Sequence, residues 1–396
     1  MAAIEQDSES FSLGQLWSDK RYRAVVMQIL VTAGVFLFVA FLAVNAVQNL
    51  EALGKTFGFE FLWEPASYDI SQSFIPYDSR DPHIRAAVVG LLNTIVIAVA
   101  GCIFATVLGF IFGVLRLSHN WLINKIVYCY VEFTRNVPVL VQILLWHGII
   151  VHTLNPPRTA IAPVEGVFLS NRGFYVPRPV FESGMWLVGA IFLAAVVGMI
   201  VFSRWAKKHQ EATGQIYPVF SIGVAAILGL PLIAFFIAGM PATLEYPELK
   251  GFNFQGGMVL KPEFTALWFA LSVYTSAFIA EIVRAGIQSV SHGQTEAAFA
   301  LGVKPNWTMR LIIIPQALRV IVPPLTSQYL NLTKNSSLAI AIGYMDIVAT
   351  LGGITLNQTG KEMECMMIVL LIYLTISLLI SAFMNWYNRR IALVER

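Results

Sequence analysis

Residues able to do chemistry are present in this 396-residue chain, but few stand at the distances that chemistry requires. His147 and His152 form the one close histidine pair, five residues apart and so not on one helix face, and no H-E-x-x-H run occurs to hold a metal. Cys102, Cys129 and Cys365 lie far apart without a C-x-x-C pair, which implies neither a zinc site nor a disulfide framework. Gly54-Lys55-Thr56 has the closing residues of a phosphate-cradling loop, yet Asn49 occupies the place of its first glycine. No catalytic constellation survives these spacings, so any energy the protein consumes is expected to be borrowed.

The most definite stretch is suited to docking. Ser291, followed three residues on by Gln294, is a capping-box pattern; Gly302 supplies a left-handed stop, and Pro305 forbids continuation. These marks predict a helix of about ten residues. Ala297, Ala298, Ala300 and Leu301 would give it a surface of small residues able to lie close against another protein. Glu296 sits in the first turns, where the positive helix end suits a carboxylate.

Composition says what body such a helix belongs to. With 57% hydrophobic and 12% charged residues, the chain has about half the charge of a soluble domain. Apolar runs long enough to cross a bilayer recur at about 24–47, 87–115, 126–152, 184–203, 216–240, 263–286, 316–344 and 364–387, predicting eight transmembrane helices. The first is too long for a signal-peptide core and has no small-x-small cleavage pattern, so it reads as a retained span. With the N-terminus inside, the cytoplasmic segments carry Lys20, Arg21 and Arg23; Arg116 and Lys125; Arg204, Lys207 and Lys208; Lys304 and Arg310; and Arg389, Arg390 and Arg396. An odd number of spans would break that pattern. The net charge of +3 is too small to suggest nucleic acid.

Smaller features qualify this plan. Phe57, Phe59, Phe61 and Trp63 alternate, as in an aromatic belt or a short strand at the outer membrane surface. Ala105, Gly109 and Gly113 make a small-residue stripe that lets a neighbouring helix approach. Residues 153–183 hold Pro156, Pro157, Pro163, Pro177 and Pro179, too many for a regular helix. Pro323-Pro324 would break the helix of the seventh span, freeing carbonyls that only protein or a wet cavity can satisfy.

Glu296-Ala297-Ala298, three residues, Gly302, nine residues and then Ile312-x-x-Pro315 resembles the cytoplasmic EAA loop of the permease subunits of ABC importers, with Ile314 where leucine is usual. The run Glu132 to Gln142 is similar to the F-x-R-G-T-P-x-L-V-Q segment of amino-acid-type permeases, matching at Arg135, Pro138 and Gln142 but not at Asn136 and Val137. Tyr274 to Gly286 is similar to the family's A-x-x-A-E-I-x-R-G stretch, and Lys334-Asn335-Ser336-Ser337-Leu338 to its K-D-T-S-L run, with Asn335 replacing the acidic residue.

The resemblance implies an all-α integral membrane protein of about eight transmembrane helices, a type I ABC importer permease core with extra spans. It divides the chain into a tail, first span and outer loop at 1–86, a permease domain at 87–387 with an insertion at about 153–262, and a cytoplasmic tail at 388–396, as in the long-form permeases of general L-amino-acid importers. It implies a non-catalytic subunit of the bacterial inner membrane with both termini cytoplasmic. Surrounded by membrane lipid, that subunit forms a pathway for L-amino acids and binds no cofactor itself, since ATP and Mg act on partner ABC ATPase subunits. A second permease subunit, paralogue or copy, and a periplasmic or extracellular amino-acid-binding protein are the further partners. ATPase coupling falls to Glu296, Ala297, Ala298, Leu301 and Gly302, and the substrate pathway to Gln142, Ser276, Glu281, Asn335 and Ser336. For Glu281 a local pair with Arg284 is the competing expectation. The alternatives are a secondary amino-acid transporter, which would usually show paired broken helices or several ionisable groups deep in its spans, and a membrane-embedded enzyme.

Overall fold

The computed structural model describes residues 20–391 apart from 53, 55 and 56. The expected tail before Lys20, the Lys55-Thr56 pair of the incomplete phosphate loop, and Arg396 lie outside the described residues.

Hydropathy builds the skeleton: α1 (Lys20–Ala52), α2 (His83–Leu115), α3 (Trp121–Asn136), α4 (Val139–Thr153), α5 (Met185–Thr213), α6 (Val219–Ile237), α7 (Pro262–Gln288), α8 (His292–Ala300), α9 (Pro305–Ile342) and α10 (Glu362–Ile391). Among the described residues, seven of these helices are each long and apolar enough to cross a membrane, and α3 with α4 makes an eighth only as a bent pair.

The third span expected at 126–152 is a bent pair of helices, since the chain turns by 106° between α3 and α4. Pro138 is the cause. It has no N–H to continue the ladder and drives the preceding residue out of helical space, and Val137 is accordingly extended at φ −96°, ψ 128°. The pair still carries the chain from one end of the bundle to the other. α3 starts close to Arg116, which meets Glu281 near the last turns of α7, whereas α4 leads into strands that pair with the segment just before α7.

α7 is the central helix: 61% of its apolar stretch is buried, against 0% for α1. α2 runs beside it in the same direction, Phe104 meeting Trp268 with ring centroids 4.6 Å apart, and Gly109 and Gly113 facing Ile279 and Val283. The stripe of small residues thus serves the close helix approach that its spacing predicts. α9 runs antiparallel to α7, with Ile321 against Gly286 and Tyr344 against Phe264. Pro323 and Pro324 lie inside a continuous helical stretch, Ile314–Asn335, rather than breaking it as expected.

The segments between spans hold β structure that hydropathy does not foresee. Strands β1 (Ile161–Val164), β2 (Val167–Ser170), β3 (Gly173–Val176) and β4 (Arg178–Phe181) precede α5; β5 (Ala242–Glu245), β6 (Glu248–Lys250), β7 (Asn253–Gln255) and β8 (Met258–Leu260) follow α6. They form an antiparallel sheet β1-β2-β3-β8 and the ribbons β4-β5 and β6-β7. Pairing of Phe174 with Leu260 closes the insertion on itself at the end from which α7 departs. α5 and α6 form a hairpin that packs chiefly on itself. The alternating aromatics make no strand: Glu60–Trp63 is a 3₁₀ turn, because Phe61 is drawn into an apolar cluster with Ile347, Leu351, Cys365 and Val369 while Trp63 stays exposed.

Candidate functional site

Local sequence sets both ends of α8. At its start Ser291 Oγ accepts from the Gly293 N–H at 3.3 Å. The reciprocal half of the expected capping box is not formed, because Gln294 accepts instead from Gln316 Nε2 at 3.4 Å, tying α8 to α9. At its end Gly302 adopts φ +75°, the Gly302 N–H donates to Phe299 O, and the Val303 N–H donates to Ala298 O. That pair of bonds is a Schellman stop, which needs the left-handed residue that glycine supplies without strain.

The stop leaves an apolar face outward. Leu301 is 83% exposed and Phe299 50%, with Glu296, Ala297 and Ala300 also exposed. Ala298 departs from expectation: it is 2% exposed, so it does not belong to the surface open to a partner. α8 packs on the first turns of α9 and follows the last turn of α7, which puts it at the Arg116–Glu281 end of the bundle.

Near the end of α7, Glu281 ties its own helix to the end of α2. Arg284 Nε donates to both carboxylate oxygens at 3.1 Å, and Arg116, which caps α2, donates from Nη1 to Oε2. The Arg116 guanidinium also lies over the Tyr128 ring on α3, 5.1 Å from its centroid. The local pair with Arg284 is therefore present, and the second arm to Arg116 makes it a clasp between helices. Since Arg116 is only 10% exposed, removing its partner leaves a poorly hydrated charge. Glu281→Gln is expected to cost about 1.5–3 kcal/mol, read as a lower melting temperature in detergent. Arg116→Gln in that background should recover part of the loss. In uptake assays the clasp predicts an equal fall for acidic, neutral and basic amino acids, whereas a selective loss of cationic ones would return Glu281 to the pathway.

The other expected pathway residues are not gathered in one place. Gln142 is buried, its Nε2 donating to Thr134 O at 2.9 Å and Val137 O at 3.0 Å. It satisfies carbonyls that the break at Pro138 strands at the end of α3, which is a structural role. Ser276 is enclosed between Tyr130 Oη and the Val273 carbonyl, each at 2.8 Å. Ser336 is buried, donating to Thr333 O at 2.7 Å, and neighbouring Asn335 is half-buried. The antiparallel register of α9 on α7 sets Ser336 opposite about residue 272, roughly 15 Å along the helix from Glu281. Ser276, Glu281, Asn335 and Ser336 therefore do not meet in one polar pocket.

A polar cluster that the sequence reading missed lies nearer the opposite end. Asp346 is fully buried, accepting from the Ala349 N–H at 2.8 Å and from Tyr373 Oη at 3.3 Å. Thr94 Oγ1 accepts from the Ile347 N–H, and Asn93 Nδ2 donates to the Met345 and Gln72 carbonyls. Asn93 Oδ1 and Ser272 Oγ are buried without a partner. The available signal was Asn93-Thr94 inside an otherwise apolar span, since polar groups in such a place need partners or a purpose.

Comparison with known proteins bears on all of these elements. Residues 212–393 match the family model described as "Binding-protein-dependent transport system inner membrane component". The chain is similar to the general L-amino acid transport system permease protein AapQ of Rhizobium johnstonii, 47% identical over 378 residues, 96% of this chain and 94% of that one. It is also 50% identical over 378 residues to the putative amino-acid ABC transporter permease protein YhdX of Escherichia coli, covering 94% of this chain and 95% of that one. With the glutamate/glutamine/aspartate/asparagine transport system permease protein BztB of Rhodobacter capsulatus, identity is 47% over 425 residues, covering 100% of this chain and 99% of that one.

Proposed function

Because this chain belongs to the binding-protein-dependent transport inner-membrane components, among the permeases of amino-acid ABC transporters, we propose that it forms one transmembrane half of an L-amino-acid importer. A second permease subunit supplies the other half, a soluble binding protein delivers the amino acid on the side of the β-sheets, and ATP with Mg acts on partner ATPase subunits on the side of α8. The chain itself is non-catalytic. It sits in the bacterial inner membrane with both termini cytoplasmic, as the basic residues at the α8 end favour.

The observation that carries this reading is the exposed apolar end of α8, Phe299 and Leu301, held between the central helix α7 and its antiparallel neighbour α9. Short links at 289–291 and 301–304 make α8 a lever on both helices. An ATPase that closes on ATP and displaces α8 would shift the bundle between inward-open and outward-open populations. Purified chain, co-expressed with its partner subunits and reconstituted in proteoliposomes, should take up labelled amino acids only with ATP inside and binding protein outside. Uptake driven by an ion gradient without the ATPase would replace this reading with a secondary transporter.

Sidedness gives a separate prediction. In a background lacking the three native cysteines, Gln210→Cys and Asn306→Cys should react with an impermeant thiol reagent only from the cytoplasm, and Asp69→Cys and Gln255→Cys only from outside. Labelling of Asn306→Cys from outside overturns the orientation.

A further inference from the structure

The inner part of the α5–α6 hairpin holds a feature that transport does not use. Arg204, Trp205, Lys207, Lys208 and Glu211 line a cleft of about 530 Å³. Arg204, Lys207 and Lys208 are exposed and take no part in the ion pairs of the described residues, so the cleft is strongly positive despite Glu211.

All five lining residues stand on the last turns of α5, and Trp205 is fastened from the side. Trp205 stacks on His209 with ring centroids 4.9 Å apart and meets Tyr217 at 5.5 Å, while Ala206 is buried beneath. These rings fasten the end of α5 to the link that turns back at Gly214, φ +74°, into α6. The basic side chains therefore project from a fixed surface rather than from a loose loop.

Depth decides what they face. At 1.5 Å per residue, Arg204 lies about 29 Å along α5 from Met185, close to the roughly 30 Å thickness of a bilayer's hydrocarbon core. Trp205 thus falls at the interface, where its amphipathic ring is favoured, and Lys207 and Lys208 fall about one turn further, at the level of lipid headgroups. The hairpin packs chiefly on itself, so its outer face is not covered by the bundle.

We propose that this cleft binds the headgroup of an anionic phospholipid, with Arg204, Lys207 and Lys208 around the phosphate and Trp205 against the glycerol region. The test is a titration of the purified full-length chain with dioleoyl-phosphatidylglycerol or dioleoyl-phosphatidylcholine, bound lipid being counted by native mass spectrometry. Phosphatidylglycerol should bind and phosphatidylcholine should not, and inorganic phosphate should fail to compete. R204Q/K207Q/K208Q should weaken binding on the order of 100-fold, and K207Q or K208Q alone about fivefold, so the single variants carry the test if the triple one does not fold. Adding Q210K/T213K/Q215K to the triple variant restores charge outside the cleft and should not restore binding. The proposal is overturned by equal binding of the two lipids, by full binding in the neutralised variants, by recovery with the relocated lysines, or by displacement with inorganic phosphate.

Discussion

Gly113→Leu is expected to abolish recovery of folded protein from the membrane. A Cβ at this position would lie 2.8 Å from the Ala280 carbonyl and 2.6 Å from Val283 Cβ. A backbone carbonyl on a central helix cannot rotate aside, so α2 and α7 would have to separate along their whole contact. Gly113→Ala should already cost about 1–3 kcal/mol through overpacking, and leucine adds three more carbons to the same gap. Gly148→Ala is the control, because a Cβ there meets nothing within 4 Å. Size-exclusion profiles and melting temperatures in detergent should rank Gly148→Ala with the natural chain, Gly113→Ala below it, and Gly113→Leu as aggregate. A monodisperse Gly113→Leu variant would mean that α2 and α7 do not pack as described.

The second large effect is confined to coupling. Gly302→Val forces a β-branched residue into left-handed space, at a cost of about 1–2 kcal/mol, and the Schellman bonds at the end of α8 are lost with it. No atom lies within 4 Å of the position a Cβ would take at Gly302, so the bundle should melt as before. Leu301→Asp leaves the backbone alone and converts the exposed apolar side chain that caps α8 into a charge. Both variants should therefore keep their melting temperature while ATPase subunits cease to co-purify and uptake falls at least tenfold, the loss expected when an interface hot spot is removed. Normal assembly and uptake in both would remove α8 from the ATPase interface.

The two variants divide along the line between local and distant information. Gly302 was readable because a helix stop depends on a few consecutive residues, and φ +75° is what a glycine between the helical run and Pro305 predicts. The spans were readable for the same reason, since water-to-lipid transfer acts on each apolar run separately. Pro138 was visible, but 126–152 fits one span by length and composition despite the polar stretch at 132–136, so α3 and α4 looked like one helix. The strands of the insertion were missed because each is only three or four residues long, too short for an alternation to show: β2 and β3 pair locally, Ser170 with Gly173, while Phe174 meets Leu260 from the far side of the insertion.

Side-chain assignments needed tertiary structure more than any other feature. Sequence alone determined that Glu281 is a costly carboxylate near the end of a span with Arg284 one turn on. Only the packed bundle decided that Arg116, 165 positions earlier, completes a clasp between α2 and α7. In the same way, sequence marked Gln142 as polar in an apolar run, and only the bend at Pro138 gave its amide the stranded carbonyls of Thr134 and Val137. Local free energies, capping and hydropathy, are written in neighbouring residues. Which polar groups share a buried space depends on how distant helices register, and that is settled by packing the whole bundle at once.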